Sequence, residues 1–352
     1  MLLYDLYRQF AFKIDPEVAH EKAIKHISKL PRTNLFNSFP HNKKYQIRTK
    51  DLTWSNPIGI AAGLDKTAQI YSQLLNFGFG HVEVGTITLR PQIGNPRPRI
   101  WRIKPQESLR NAMGFPSIGA QYSLEMLKRN SRTNNNGLLG INIGKNKQTD
   151  DKEAPAEYAK LYKAFSPFAN YLTINISSPN TPGLRSWQSE DNLKKLLDAL
   201  TEERESRPIP LFLKIAPNLN LAEVETLYRV SRNYKLSGII ATNTSARPDL
   251  GVGGISGKMI YDESKAIRDQ LLSLNSHDQS FEIIGVGGFS SFKDCVDFWI
   301  LGGQIIQIYT AFIYQGPKII KDIKRGIDQL INLTGANFQA SLRNKEALKS
   351  LI

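Results

Sequence analysis

A single cysteine, Cys295, occurs in 352 residues, which excludes an internal disulfide framework and a multi-cysteine metal site and fits a reducing compartment. Histidine is almost as scarce. The five histidines, His20, His26, His41, His81 and His277, all stand apart from the polar strand ends described below. Neither a Ser-His-Asp nor a Cys-His set can be assembled, so metal hydrolysis and thiol catalysis lack their parts, and no metal site is expected. Long hydrophobic runs are missing too. None reaches the roughly 18 residues of a membrane span, and the N-terminus has no uninterrupted apolar core of the secretory kind. Acidic residues are in deficit: 46 Lys/Arg stand against 32 Asp/Glu, a net charge of +14. Such a balance attracts phosphate, nucleic acid or an anionic membrane surface, and charge alone does not choose among them.

The chain exceeds the roughly 250 residues of a typical (β/α)8 barrel, so one large domain with an appendage is expected. After residue 52 one pattern recurs: a short apolar run, a cluster of Gly, Asn, Thr or Lys, then a longer amphipathic stretch. Eight candidate strands follow, at 57–66, 81–86, 138–144, 171–177, 211–217, 238–244, 282–288 and 304–310. Eight βα units predict a closed parallel TIM barrel with its active site at the C-terminal ends of the strands. Between the second and third strands, the prolines and alternating apolar residues of TLRPQIGNPRPRIWRIKPQESLRNAMGF predict an excursion with a hairpin over the barrel mouth.

Residues 1–40 read as a separate two-helix module, and residues 41–352 as the barrel domain. Leu2, Leu3, Leu6 and Phe10 recur at helical spacing. Asp15-Pro16 marks an N-cap followed by proline at the first helical position, and a second helix runs to about Lys29 with Val18, Ala19, Ala23, Ile24 and Ile27 on one face. The pair fits either a helical hairpin packed on the barrel or a helix pair resting in a membrane interface.

Chemistry concentrates at the strand ends. The run YLTINISSPNTPGL (171–184) leads an apolar strand into a polar loop whose backbone Pro179 and Pro182 restrict; Asn175, Ser178 and Asn180 there suit a small polar ring compound, although a plain Asn/Ser/Pro turn has the same composition. In AAGLDK, small residues permit close backbone approach and Lys66 adds a cation. The glycines of GVGG (285–288), with Tyr309-Thr310 after the eighth strand, occupy the usual phosphate position of such barrels. Lys214, inside the apolar run LFLKIAP, needs an anionic partner: either a flavin, whose reduced ring carries negative charge near N1, or a neighbouring carboxylate. Hydride transfer to a cofactor asks of the protein only orientation and one proton acceptor.

NPIGIAAGLDK, NAMGF, GINIGKNK, INISSPNTPGLR, KIAP, ATNT, GGISG, IIGVGG and QIYTAF, in this order, resemble the class 2, quinone-dependent dihydroorotate dehydrogenases over about residues 1–325. The N-terminal DPEVAH resembles that family's membrane-associated helical extension. The resemblance implies oxidation of dihydroorotate to orotate in pyrimidine biosynthesis, with one FMN per subunit and a membrane quinone as co-substrate. It implies FMN contacts at Ala62, Gly63, Leu64, Asp65, Lys66, Thr86, Asn142, Asn175, Lys214 and Thr242, with the phosphate at Gly257, Gly288, Tyr309 and Thr310. Dihydroorotate falls to Lys66, to Asn111, Ala112, Met113, Gly114 and Phe115, and to Asn175, Asn180, Asn243 and Thr244. Ser178 is the matched base for the C5 proton, while the C6 hydride leaves for the flavin. The cytosolic class carries cysteine there. His20, Arg102 and Tyr309 match the quinone pocket, and Thr181 and Phe115 match positions around a proton path. Ala112 and Pro116 depart from the family pattern, and the stretch between Thr244 and Gly253 is short.

The resemblance further implies a monomeric, peripheral membrane protein on an anionic surface, with no nucleic-acid partner. The absence of a transit-like leader points to the cytoplasmic face of a bacterial inner membrane. Three other readings share the charge or the barrel: a cytosolic dihydroorotate dehydrogenase, a tRNA-reducing flavoprotein, and a non-enzymatic phosphate or nucleic-acid binding barrel. The first two need a loop or active-site cysteine.

Overall fold

The computed structural model describes residues 2–31, 39, 42–130, 137–276 and 280–352. Eight parallel strands close a barrel in sequence order: Ile58–Ile60, His81–Ile87, Leu138–Ile143, Tyr171–Asn175, Leu211–Ile215, Gly238–Ala241, Glu282–Val286 and Ile305–Ile308. The eighth strand pairs with the first, Ile306 opposite Ile58, which completes the closure. Each expected strand is present; the second runs one residue past the expected end, to Ile87, and the other seven stop short of their apolar-plus-polar runs, because the polar residues there leave the ladder at the mouth. Val, Ile and Leu fill the strands and are buried on both faces, as the outer helices and the inner packing require.

The N-terminal end of the barrel is shut by a small antiparallel pair, Ile47–Arg48 with Thr53–Trp54. Trp54 meets the His81 ring edge-on at 4.7 Å and the Tyr171 ring at 5.7 Å. Burial pushes the His81 pKa down to about 3, so the ring is a neutral packing element far from the mouth. His41 and His277 lie outside the described residues.

At the opposite end the excursion forms the expected hairpin, Ile100–Ile103 against Ser108–Asn111. It does not stand alone: Ser108–Asn111 also pairs with Gly254–Gly257, which pairs with Ser245–Ala246, giving a four-stranded sheet over the mouth. Helix α1 (Leu2–Ala11) and helix α2 (Pro16–Ile27) pack beside it. Asp15 caps α2, its side chain accepting from the N–H groups of Glu17 and Val18. The helix stops two residues before the expected Lys29, at the Ser28 cap. Tyr4 donates to Ile313 O at 2.6 Å, Arg8 to Tyr314 O at 2.5 Å, and Arg102 to Ile14 O at 2.8 Å. Helix α1 and the turn after it are therefore bonded to the rest of the structure, while Leu6, Tyr7 and Phe10 of α1 and Ile14 of that turn stay exposed. The expected module boundary near residue 40 lies outside the described residues.

Candidate active site

The strand ends, the hairpin sheet and the loop after the fourth strand enclose one cleft of about 1340 Å³, counted out to its open mouth. Its wall contains Ala62, Gly63, Lys66, Thr86, Asn111, Met113, Gly114, Phe115, Asn175, Ser178, Asn180, Lys214, Thr242, Asn243, Thr244, Gly257, Gly288, Tyr309 and Thr310. Residues separated by up to about 250 positions in the chain thus meet in one space, because the closed barrel brings its first and eighth strands together.

Other expected site residues point elsewhere. Leu64, Asp65, Ala112 and Asn142 do not line the cleft. The Asp65 carboxylate turns inward and accepts from the N–H groups of Thr67, Gln69 and Ile70 at 2.8–3.2 Å, so it shapes the turn that presents Lys66. Burial raises its pKa. Asn142 lies one layer below, accepting from Thr86 Oγ1 at 2.6 Å and donating to Glu83 at 2.8 Å. Arg102 is engaged with the N-terminal segment through Ala11 O and Ile14 O and stacks on Phe12 at 4.6 Å. His20, on α2, is partly buried; burial and the Lys66 charge push its pKa down to about 3, so its ring is neutral.

At the substrate-sized end, amides interlock. Asn175 Nδ2 donates to Thr86 Oγ1 at 3.0 Å, Asn243 Nδ2 to Asn175 Oδ1 at 3.2 Å, and Asn180 Nδ2 to Asn111 Oδ1 at 3.0 Å. Fixing the amide planes this way orients the remaining donors and acceptors without a charged group. Asn180 Oδ1 and Thr181 Oγ1 are buried without a partner among the described residues. Ser178 is buried, and its Oγ accepts from the Asn180 N–H at 3.2 Å, which leaves the hydroxyl proton to point away. Phe115 holds a positive φ of 52°, costly for a bulky residue, with Gln92 Nε2 donating to its carbonyl at 2.7 Å.

The floor carries a charge pair that the sequence only half disclosed. Lys214 Nζ lies 3.6 Å from Glu83 Oε1, with side-chain exposures of 6% and 0%. Glu83 also accepts from Thr173 at 3.2 Å and Gln307 at 3.0 Å, so each oxygen is satisfied inside the barrel. The sequence signal that exposed Lys214, a charge inside an apolar strand, is equally present for Glu83 in HVEVGT. Lys66 is a second cation at the wall. Burial lowers its pKa to about 8, with Glu17 opposing the shift and Arg99 adding to it.

At the far end, Gly257, Gly287 and Gly288 face Thr310, whose Oγ1 bonds Ser256 Oγ at 2.8 Å. Gly288 has a positive φ of 81°, and a Cβ there would meet Tyr261 Cα at 2.5 Å, so only glycine lets this turn lie against the start of the preceding helix, Tyr261–Leu274. The cleft therefore has a glycine-walled end suited to a phosphate, a floor built on the Lys214–Glu83 pair and an amide-lined end. Buried Gln307 Oε1, on the wall, has no partner among the described residues. These features fit a flat, hydrogen-bonding ring system with a phosphate tail, as in FMN. Among the described residues no cluster of His, Cys, Asp or Glu suited to a metal is present, and no helix is long and apolar enough to cross a membrane.

The family model described as dihydroorotate dehydrogenase matches residues 45–331. A protein of Methylobacillus flagellatus named dihydroorotate dehydrogenase (quinone) is 37% identical over 340 residues, covering 92% of this chain and 99% of its own. One of the same name from Shewanella halifaxensis is 38% identical over 338 residues, with 92% and 98% covered. Among solved structures, DHODH of Eimeria tenella in complex with ferulenol superposes with a TM-score of 0.85 at 31% identity, over 93% of this chain and 95% of that one.

Proposed function

The chain belongs to the dihydroorotate dehydrogenase family, and from that premise we propose how its own residues divide the work. The activity is that of the quinone-dependent enzymes: oxidation of dihydroorotate to orotate in pyrimidine biosynthesis. FMN bound in the cleft would supply the hydride acceptor and the redox link to a quinone. The observation that carries the residue assignment is the meeting of Ser178, Lys66 and the Asn111, Asn175, Asn180 and Asn243 amides around one end of a single cleft.

Lys66 holds the substrate carboxylate as a cation, and the amides fix the ring through its neutral edges. Ser178 Oγ takes the C5 proton. A serine is a weak base, so its activation rests on what the loop provides: the Asn180 N–H stabilises alkoxide character on Oγ, and Thr181 Oγ1, which has no partner among the described residues, anchors a water that takes the serine's own hydroxyl proton as the C5 proton arrives. The Arg185 guanidinium ties Ser177 O to Thr244 O at 3.2 and 3.1 Å, holding the loop down on the sixth-strand end and keeping bulk water away. Lys214 supports the cofactor ring from the floor, and Gly257, Gly288, Tyr309 and Thr310 hold the phosphate.

Residues 1–40 form the quinone-access module. Its support is the exposed Leu6, Tyr7, Phe10 and Ile14, together with the neutral His20 and half-buried Tyr309, and a basic surface that favours an anionic membrane. The protein rests on that surface as a peripheral monomer, on the cytoplasmic face of a bacterial inner membrane. The test is sedimentation with phosphatidylglycerol vesicles: binding that falls as salt rises supports the reading, and no binding at low salt overturns it.

A further inference from the structure

Asn95, which no local signal in the sequence marks, lies between the two segments that present the substrate-facing amides. Its Nδ2 donates to Ala112 O at 2.9 Å and to Asn180 O at 3.4 Å, and its backbone N–H donates to Met113 O at 3.0 Å. Its side chain fills the place where a Cβ on Gly114 would come, 2.7 Å away. Asn95 therefore touches both the 111–115 loop and the loop after the fourth strand.

Arg99 holds Asn95 in turn. Its Nη1 donates to Asn95 O at 2.7 Å and to Ile93 O at 2.6 Å, and its own carbonyl accepts from Ala112 N at 2.8 Å. The rest of the guanidinium faces Glu17 on α2: Nε is 3.0 Å from Oε2, and Nη2 is 2.7 Å from Oε1. Both side chains are nearly sealed, at 5% and 7% exposure. A guanidinium is planar, so the fork that grips Glu17 also fixes the direction of Nη1. With the carboxylate gone, a buried cation is left uncompensated, and swinging it toward solvent releases both carbonyls it holds.

We propose that Arg99 is a positioning residue through which the seating of α2 on the barrel is coupled to closure of the 111–115 loop on its ligand. The proposal rests on the reading of that loop as part of the dihydroorotate site. Coupling is reciprocal: if seated α2 favours ligand binding, bound ligand favours seated α2 by the same factor. A helix of the quinone module thereby reports to the substrate end of the cleft through Glu17, Arg99 and Asn95.

The experiment uses full-length holoenzyme and its Glu17→Gln, Glu17→Asp and Arg99→Lys variants at about pH 6, roughly two units below the Lys66 pKa, so that loss of the Glu17 charge does not discharge Lys66. Orotate affinity is read from the flavin spectrum, the limiting rate from flavin reduction at saturating dihydroorotate, and α2 seating from amide hydrogen exchange over residues 18–27. Glu17→Gln and Arg99→Lys are expected to weaken orotate about tenfold with FMN content and limiting rate kept, and Glu17→Asp to recover part of the loss. Orotate is expected to slow α2 exchange in the wild type and not in Glu17→Gln. Unchanged orotate affinity in Glu17→Gln, or wild-type α2 exchange indifferent to orotate, overturns the coupling. The wild-type exchange measurement decides the matter even where a variant fails to fold. A purely structural pair would lower the melting temperature and leave orotate affinity alone. A wild type that neither binds orotate nor is bleached by dihydroorotate would instead sink the site assignment itself.

Discussion

Lys214 Nζ and Glu83 Oε1 lie 3.6 Å apart inside the barrel, where water scarcely reaches either. The pair gives that lysine the neighbouring carboxylate of one reading, and the lysine also lines the cleft in which the other reading puts a flavin. Removing the carboxylate leaves the cation unopposed beneath the cofactor. Glu83→Gln should raise the FMN midpoint potential, measured by spectroelectrochemical titration, and cost about 3–5 kcal/mol of stability, the usual penalty for breaking a buried pair. An unchanged potential would remove Lys214 from the flavin's surroundings.

Ser178→Ala should keep FMN and bind orotate, yet slow flavin reduction by at least about a hundredfold, the low end for loss of a general base. Stopped-flow reduction by dihydroorotate checks it. An unimpaired rate takes Ser178 out of the proton transfer.

The two wall lysines should separate cleanly. Lys66→Ala should chiefly weaken orotate, and Lys214→Ala should chiefly reduce FMN retention or make the flavin harder to reduce. Equal FMN loss in both would contradict the division.

Lys66 also sets a pH dependence. Its pKa is lowered to about 8 by burial, so it is protonated below that value and neutral above it. With the cation binding the substrate carboxylate as proposed, orotate affinity should be flat below pH 8 and fall by up to about tenfold per pH unit above it. In the ligand-free protein the sign reverses for folding: the unfolded lysine holds its proton to higher pH, so this group's penalty on stability shrinks as pH rises from about 8 towards 10.5. Titration of orotate binding between pH 6 and about 9.5 tests the first claim; an affinity that does not fall across pH 8 removes Lys66 from carboxylate binding.

Phe10 is 68% exposed on α1. Phe10→Glu should leave flavin reduction by dihydroorotate untouched while lowering vesicle binding and turnover with a long-chain quinone. Full turnover in the variant would make the exposed face of α1 irrelevant to quinone access.

The barrel was legible because each strand is a local event: an apolar run ends in polar residues, and eight repeats of that run permit one closed topology. The hairpin over the mouth was legible from its prolines. Its pairing with Gly254–Gly257 was not, since contacts across some 140 positions leave no local trace. The same limit hid Asn95 and the Glu17–Arg99 pair, whose partners lie on separate elements. Asp65 and Asn142 sit inside motif runs, but strand and turn geometry turns their side chains away from the cleft toward backbone N–H groups and Glu83. A motif names a neighbourhood; the direction of each side chain is set by tertiary packing.

The most direct test follows both half-reactions in one anaerobic cuvette. Purified protein should show a bound-flavin spectrum that bleaches on adding dihydroorotate, with one orotate formed per flavin, and that returns on adding a quinone analogue. Protein lacking flavin, or flavin that dihydroorotate does not bleach, would contradict the account.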